Sequence, residues 1–556
     1  MSNTTIEHLN KDVLLEVFEY LDGTALKSCT TVLKEWNEII GSSVSTMKKL
    51  PLWIDSGWES KDPALGTVKR NFHSMTLYLI VLDNEILLKS LENVVAVRHL
   101  TLEEVNITRH CFSKLLASTT TLEKLVIDDS WIKKDDLEPA DTKNCTKILK
   151  SLVLKSHDWE FLRFFGILSI QVLELNILSP PEVSKTNLDH FRMFLCTQRH
   201  LENLAMEVCN PVLDEINDID CGFELKSLFI KHRKSINGDE PEKALLKLLG
   251  QHQKSLDNLE IFMMITEESL KFIAKSLKIK RLVLSIMPSN FQNLSVYPNK
   301  YLTKLVIKGR LENLDALKWL LRNYHELDTL VIKEWAITCD FLNFVADHLK
   351  RLKHLELPNV NANPFYDEST HIASLKTFRV EYLENCAALR GLCSKIPAIE
   401  TLVVKWIPAI TSFGDIVSIA VQLPHLKHVK LGVVKGFASE TNTESENASR
   451  RCPQLRKLEI LNNTFEEKKN VTIGHVQVIH YQPTAAKHVF ECEQTLWQRN
   501  NCDSDVSSAE DSSSDESMAS DHSYDDMEND EDADFDYVQD AYGYGDFGYL
   551  LQMFHH

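Results

Sequence analysis

One short pattern of apolar and polar positions, apolar-x-x-apolar-x-apolar, returns along most of the chain. Clear copies are VRHLTL from Val97, LEKLVI from Leu122 and LTKLVI from Leu302. Sixteen copies occur, with start-to-start spacings of 21 to 31 residues and a median of 25. They begin at Phe72, Val97, Leu122, Leu149, Ile170, Leu201, Leu225, Leu256, Ile279, Leu302, Leu327, Leu352, Leu375, Ile399, Leu426 and Leu455. One such hexamer is weak, because leucine is common, but sixteen in near-register predict a repeat array.

Each copy predicts a short strand, because its second and third apolar residues are two apart and point to the same face. The segments between copies, such as DALKWLLRN after Leu314, space apolar residues as on an amphipathic helix. This alternation is typical of leucine-rich repeats. We therefore predict an α/β fold, a curved solenoid with parallel strands on the concave face and helices on the convex face. The alternating stretch from Asn470 to Tyr481 predicts a degenerate last coil that covers the open end of the core.

The first forty residues lack the repeat and predict two or three short helices instead. Asn10 is predicted to cap the first helix, Asp22-Gly23 to end it, and Thr24 to cap the second. The first helix carries an apolar stripe formed by Val13, Leu14, Val17, Phe18 and Leu21. So small a unit cannot bury all its apolar surface internally. On spacing alone, it either shields the first repeat as a cap or binds a partner.

Residues 6–42 closely resemble the F-box motif. The matching residues are Leu9, Asp12, Val13, Leu14, Val17, Phe18, Leu21, Leu26, Val32, Trp36 and Ile39. An F-box followed by leucine-rich repeats is a known family architecture. The resemblance implies a three-helix F-box that binds a Skp-type adaptor and, through it, cullin and RING subunits, while the repeats hold a substrate protein. It thus implies the substrate-recognition subunit of an SCF-type E3 ubiquitin ligase.

The resemblance also implies which side chains contact the adaptor: Leu9, Asn10, Val13, Leu14, Val17, Phe18, Leu21, Leu26 and Trp36. Asn10 stands where the family usually has proline, a departure that bears on adaptor affinity more than on folding. The alternative is a non-ligase repeat scaffold whose N-terminal helices act as a cap or as a weakened adaptor site.

Four segments follow from these patterns. They are the F-box module at 1–48, a connector at 49–70, the repeat solenoid at 71–490 and an acidic tail at 491–556. The net charge of −19 belongs to that tail, because 17 of the 80 acidic residues and no Lys or Arg follow Cys502. The first 502 residues therefore carry 63 acids against 61 bases. This balance predicts no nucleic-acid partner.

The N-terminus does not resemble a signal peptide, and no run approaches 18 apolar residues, so no membrane association is predicted. Twelve cysteines stand singly, without CxxC spacing, as expected for reduced thiols in the cytoplasm or nucleus. The sequence contains no Gly-rich phosphate loop, GxSxG or HExxH motif. We therefore predict a non-catalytic protein with no cofactor and no metal.

Basic residues recur at outward strand positions of the repeats. The predicted substrate-binding set is Lys231, Lys308, Lys333, Arg379, Lys405 and Lys430. This series suggests an acidic or phosphorylated substrate segment. Lysine is also common on solvated strands, and Glu356, Glu381 and Glu459 dilute the series, so an ordinary solvated face is the alternative.

The acidic tail is predicted to be disordered, because it has too little apolar surface to offset its ordering entropy. Five serines have an acid three residues on and are candidates for an acidophilic kinase: Ser507, Ser508, Ser512, Ser513 and Ser523. The tail either serves solubility or transiently competes with substrate for the basic face.

Overall fold

The computed structural model describes residues 10–56, 72–83, 97–133, 148–155, 159–178, 184–208, 210–219, 222–232, 242–286, 297–309, 314–334, 336–337, 339–360, 371–383, 386–407, 413–432, 450–461, 470–473 and 476–481. The chain divides into two compact units. The first comprises Met1–Glu381 and Gly391–Ile399, and the second comprises Tyr382–Arg390 and Glu400–His556.

The first unit opens with the predicted helical module: α1 (Lys11–Tyr20), α2 (Gly23–Val32), α3 (Lys34–Ser42) and a single turn, α4 (Val44–Met47). Asn10 caps α1 as predicted, since its side-chain oxygen accepts from the Asp12 amide at 3.3 Å. The predicted cap of α2 is wrong. Asp22, not Thr24, accepts from the Ala25 amide at 2.8 Å, because α2 already begins at Gly23.

Most of the chain alternates strands and helices. The strands up to the end of the first unit are β1 (Leu52–Asp55), β2 (Ser74–Tyr78), β3 (Val81–Leu82), β4 (His99–Glu103), β5 (Asn106–Thr108), β6 (Lys124–Asp128), β7 (Trp131–Lys133), β8 (Ile148–Lys155), β9 (Gln171–Ile177), β10 (Asn203–Val208), β11 (Ser227–His232), β12 (Asn258–Met264), β13 (Arg281–Ile286), β14 (Lys304–Ile307), β15 (Thr329–Ile332), β16 (Ala336–Ile337), β17 (His354–Val360) and β18 (Thr377–Tyr382). The helices that follow α4 along the chain are α5 (Arg109–Ser118), α6 (Glu160–Ile167), α7 (Lys185–Thr197), α8 (Asn210–Asp218), α9 (Glu242–His252), α10 (Glu267–Ser276), α11 (Leu314–Asn323), α12 (Cys339–His348), α13 (Cys386–Lys395) and α14 (Phe413–Gln422).

The second unit contains β19 (Thr401–Trp406), β20 (His428–Gly432), β21 (Lys457–Leu461), β22 (Asn470–Ile473) and β23 (Val476–Tyr481). Strands β19, β20 and β21 are parallel neighbours, and β23 pairs in parallel with β21. The segment predicted as the last coil differs from a repeat coil, because β22 runs antiparallel to β23 and the two form a hairpin. In a repeat coil, β22 would run parallel to its neighbour.

Every one of the sixteen predicted copies supplies a strand, namely β2, β4, β6, β8 to β15 and β17 to β21. Equivalent leucines lie side by side, as in the row Leu282, Leu305, Leu330 and Leu355. Along β4 the predicted alternation is observed: Leu100 and Leu102 are buried, and the other residues of the strand are half-exposed. The chain therefore has a leucine-rich-repeat fold.

The parallel sheet begins earlier than predicted, because β1 pairs in parallel with β2, with Leu52 opposite Met75. Part of the predicted 49–70 connector is thus the first strand of the sheet. A second, three-stranded parallel sheet is formed by β3, β5 and β7. Leu79, Glu104 and Asp129 precede these short strands with φ values of 52°, 53° and 41°. The same left-handed turn therefore repeats in three successive coils.

One edge of the strand array carries alternating charges on consecutive coils. In the first unit the ion pairs are Arg98–Glu123 at 3.1 Å, Lys150–Glu123 at 2.8 Å, Lys226–Glu202 at 2.6 Å, Lys280–Asp257 at 2.9 Å and Lys353–Asp328 at 3.4 Å. The hydrogen bond from Lys150 lowers the pKa of Glu123. These exposed pairs each add little to the stability of the fold.

His252, at the end of α9, is a buried histidine that the repeat core holds neutral. The Leu225 amide donates to its Nδ1 at 3.5 Å, and its ring stacks on Phe223 at 5.8 Å. Burial lowers the pKa of His252 from its ordinary value of 6.5. Below that pH the unfolded chain binds a proton that the folded chain excludes.

Stability is therefore expected to fall as the pH drops through 6.5, with His252 contributing to the loss. The urea midpoint of the full chain, measured about one pH unit above and one below that value, should decrease on the acid side. His252→Phe removes this titration, so the difference between the urea midpoints at the two pH values should become smaller. The substitution is expected to lower both midpoints. An unchanged gap would show that His252 does not contribute.

Candidate functional site

The first candidate surface is an apolar stripe on α1. Val13, Val17 and Tyr20 are four and three residues apart, which places them on one helix face. Their exposed fractions are 44%, 40% and 84%. Asn10, at the start of the helix, is also exposed. Isolated exposed apolar residues are normal, but a row of three on one helix is unusual enough to indicate a contact surface.

The other side of α1 packs into a core made by the module itself. That core consists of Leu14, Phe18, Leu26, Trp36, Ile39, Ile40, Met47 and Leu50. Phe18 and Trp36 are 2% and 8% exposed, and their rings meet edge to face at 5.5 Å. The module therefore folds around its own apolar residues.

Four of the predicted adaptor contacts belong to this core, namely Leu14, Phe18, Leu26 and Trp36. These side chains are buried inside the module, so they stabilise it and do not present a surface. Of the other predicted contacts, Val13 and Val17 are exposed and Leu21 is half-buried against the core. Leu9 lies outside the described residues.

The turn after α4 holds the helices together. The Lys49 ammonium donates to the carbonyl oxygens of Glu19 and Leu21, at 2.5 and 3.0 Å, and so satisfies the end of α1. Gly23 approaches this turn closely, since a Cβ there would lie 2.5 Å from the Lys49 carbonyl oxygen. These contacts fix the C-terminal end of α1 against the turn after α4.

The module also contacts the first repeat, as a cap would. Phe72, just before β2, is half-buried against the module core, and Leu50 belongs to that core just before β1. This contact does not cover Val13, Val17 or Tyr20. Capping and partner binding can therefore use different sides of the same helices.

The second candidate surface is the outward face of the repeat strands. In the first unit, three of the four predicted basic residues are paired with acids on neighbouring strands. Lys333 lies 2.6 Å from Glu356 and 3.8 Å from Glu381. Arg379 lies 3.6 Å from Glu356, and Lys231 lies 3.9 Å from Glu207.

Lys308 has a different partner, because its ammonium lies 4.8 Å from the centre of the Phe262 ring. In the second unit, Lys430 and Lys457 approach Glu459 at 3.5 and 2.5 Å, and these bonds lower the pKa of Glu459 against the effect of burial. Lys405 is half-exposed on β19. The predicted series is thus not an unopposed basic stripe. In each unit, glutamates lie within ion-pair distance of some of its basic residues.

One charge signal in the sequence is not captured by the predicted binding sets. Residues 269–311 contain nine Lys or Arg and no Asp or Glu, within a body that is otherwise balanced. Counting charge in windows would have found it, whereas counting at one repeat position did not.

The acidic tail and its candidate phosphorylation sites are not described by the structure. The candidate phosphorylation serines, Ser507, Ser508, Ser512, Ser513 and Ser523, lie outside the described residues, as does the whole acidic tail. Within the described ranges, no three His, Cys, Asp or Glu side chains gather where a metal ion could bind. In the same part of the chain, no helix has the length and apolar character that crossing a membrane requires.

Comparison with known proteins gives similarity at the level of fold only. No protein-family model and no curated protein matches the sequence. Similar solved structures include a TLR13–ssRNA13 complex, at 16% identity and a TM-score of 0.43, covering 77% of this chain and 62% of that one. The APL1 leucine-rich repeat domain has 13% identity and a TM-score of 0.28, and the match covers 78% of this chain and 97% of that one. The complex of Rad7 and Elc1 in yeast has 12% identity and a TM-score of 0.31, and the match covers 84% of this chain and 92% of that one.

Proposed function

We propose that this chain is the substrate receptor of an SCF-type ubiquitin ligase. Its N-terminal helices bind a Skp-type adaptor, which brings the cullin and RING subunits, and its repeats bind the protein to be modified. The chain itself is not an enzyme in this proposal and uses no cofactor. It acts in the cytoplasm, the nucleus or both.

The observation that carries the proposal is the division of α1 into two sides. Phe18 and Leu14 hold the module's core, whereas Val13, Val17 and Tyr20 remain exposed. Fully burying a valine side chain contributes about 1.5–3 kcal/mol, so covering this stripe gives a useful part of a binding energy. Ordering and association costs reduce the net gain. The resemblance of residues 6–42 to the F-box motif supplies the identity of the partner.

Asn10 supports folding of this module in place of the usual proline. Its side chain caps α1 through the Asp12 amide, so the helix starts where the stripe requires it. Proline would have lowered the conformational freedom of the unfolded chain, and asparagine does not. We therefore expect Asn10 to change the affinity for the adaptor and not the shape of the binding surface.

A second candidate is a repeat scaffold without ligase activity, in which the module serves as a cap. The contact of Phe72 with the module core favours a capping contribution. The two candidates differ in one respect: only the ligase receptor requires the α1 stripe to be occupied by another protein.

The test is recovery of the tagged full chain from cells treated with a proteasome inhibitor. The ligase proposal expects adaptor, cullin and RING subunit to be recovered together, along with further proteins that accumulate only under inhibition. Recovery of repeat-bound proteins with no adaptor or cullin would contradict it and support the scaffold.

A further inference from the structure

The unbalanced basic segment, 269–311, divides into paired and unpaired charges. Six of its nine bases are engaged or undescribed. Lys271 pairs with Glu267, Lys280 with Asp257 and Arg281 with Glu260; Lys304 is half-buried near Glu260 and Glu356, Lys308 lies over Phe262, and Arg310 lies outside the described residues. The other three, Lys275, Lys278 and Lys300, are exposed and have no ion pair among the described residues. Lys275 lies in the last turn of α10, Lys278 follows that helix, and Lys300 precedes β14.

These three lysines surround two tyrosines. The Lys275 ammonium lies 5.6 Å from the centre of the Tyr297 ring. Lys278 and Lys300 lie 5.5 and 5.9 Å from the centre of the Tyr301 ring. The negative face of each ring attracts the ammonium groups beside it. The rings therefore keep these ammonium groups in place without neutralising them, whereas an acidic partner within the chain would neutralise them.

The segment that carries the tyrosines is fixed by two buried asparagines. The Asn299 amide group donates to the carbonyl oxygens of Ala274 and Leu277, at 3.1 and 2.7 Å. Its oxygen accepts from the Tyr301 amide at 2.9 Å. The Asn323 side-chain oxygen accepts from the Tyr297 amide at 2.5 Å. This platform is thus ordered before any partner arrives, so binding need not supply its ordering entropy.

We propose that Lys275, Lys278 and Lys300, with Tyr297 and Tyr301, form a site for an acidic or phosphorylated segment of a protein. This assignment rests on the proposed substrate-receptor function and names the class of substrate. Carboxylates on alternate residues of an extended peptide point to one face of it and recur about every 7 Å.

A peptide fits this site better than a nucleic acid. Single-stranded nucleic acids use open aromatic faces for base stacking together with a long basic groove. Here the tyrosine rings already carry lysine ammonium groups. The first 502 residues are also close to neutral, with 63 acids and 61 bases. A local cluster of unpaired charges therefore favours a short anionic segment.

The test uses the full chain and fluorescence anisotropy. The probes are a short fluorescein-labelled peptide of alternating glutamate and glycine, its phosphoserine and glutamine counterparts, and a single-stranded RNA of similar length. The triple variant Lys275→Glu, Lys278→Glu, Lys300→Glu is expected to bind the glutamate and phosphoserine peptides about tenfold more weakly or worse. The matched control Lys185→Glu, Lys243→Glu, Lys350→Glu has the same charge change at exposed positions elsewhere in the first unit.

The proposal requires the glutamate and phosphoserine peptides to bind, the glutamine peptide to bind much less, and the control variant to behave like the wild type. Absence of glutamate-peptide binding, or equal loss in both variants, would overturn it. Tighter binding of the RNA, lost in the triple variant, would reassign the site to nucleic acid. Adaptor binding is measured on the same preparations, so that this proposal and the proposed function are tested separately. If the chain binds the adaptor but not the peptides, the peptide site is contradicted and the ligase proposal is not.

Discussion

Replacing Val13 and Val17 together by aspartate is expected to weaken adaptor binding by the full chain by about a hundredfold or more, with little change in its unfolding midpoint. Val13 and Val17 are 44% and 40% exposed in the free chain, so aspartate costs little there. In the complex each carboxylate would be desolvated without a partner, and the apolar contact would also be lost.

Biolayer interferometry with purified adaptor measures this effect. The matched control is Val44→Asp with Val421→Asp, two exposed valines on α4 and α14, outside the predicted contact set. It introduces the same charges and should leave the dissociation constant within a few-fold of the wild type. If the control weakened binding as much as the α1 variant, the stripe would lose its assigned role.

Phe112→Ala is expected to destabilise the repeat array by about 3–5 kcal/mol, the usual cost of removing a large buried ring. Phe112 lies on α5, and its ring meets Phe161, Phe164 and Phe165 of α6 at centroid distances of 5.3, 5.4 and 5.8 Å. The cavity would open between α5 and α6, which follow β4 and β8. Since coils stabilise each other through such contacts, the loss should extend to their neighbours.

Urea unfolding followed by circular dichroism checks this value. Phe262→Ala is the comparison, because that ring is only half-buried on the outward strand face, and its loss should cost about 1 kcal/mol. Similar costs for the two substitutions would mean that the ring cluster of Phe112 is not a central packing element.

The repeat strands could be predicted from the sequence because their information is local and repeated. Two apolar residues two apart specify a buried strand face, and sixteen copies specify the array. Strand β1 was missed because its tetrapeptide, Leu52–Asp55, is one short alternation without the full pattern. The antiparallel direction of β22 was missed because alternation gives no information about strand direction.

Side-chain roles were less predictable, because they depend on how elements pack. The helical spacing of α1 identified one apolar stripe, but it could not separate Phe18, which faces Trp36, from Val17, which does not. An alanine variant at Phe18 and Trp36 would therefore remove the module's core along with any contact. Likewise, the pairing of Lys333 with Glu356 depends on strand neighbours that are 23 residues apart in sequence.

The most direct measurement of the central claim is amide hydrogen exchange of the full chain with and without purified adaptor. We expect exchange in α1, from Lys11 to Tyr20, to slow on adaptor addition, while the strands from β9 onward keep their rates. Unchanged α1 exchange at saturating adaptor, or protection confined to the repeats, would contradict the assignment of this helix as the docking surface.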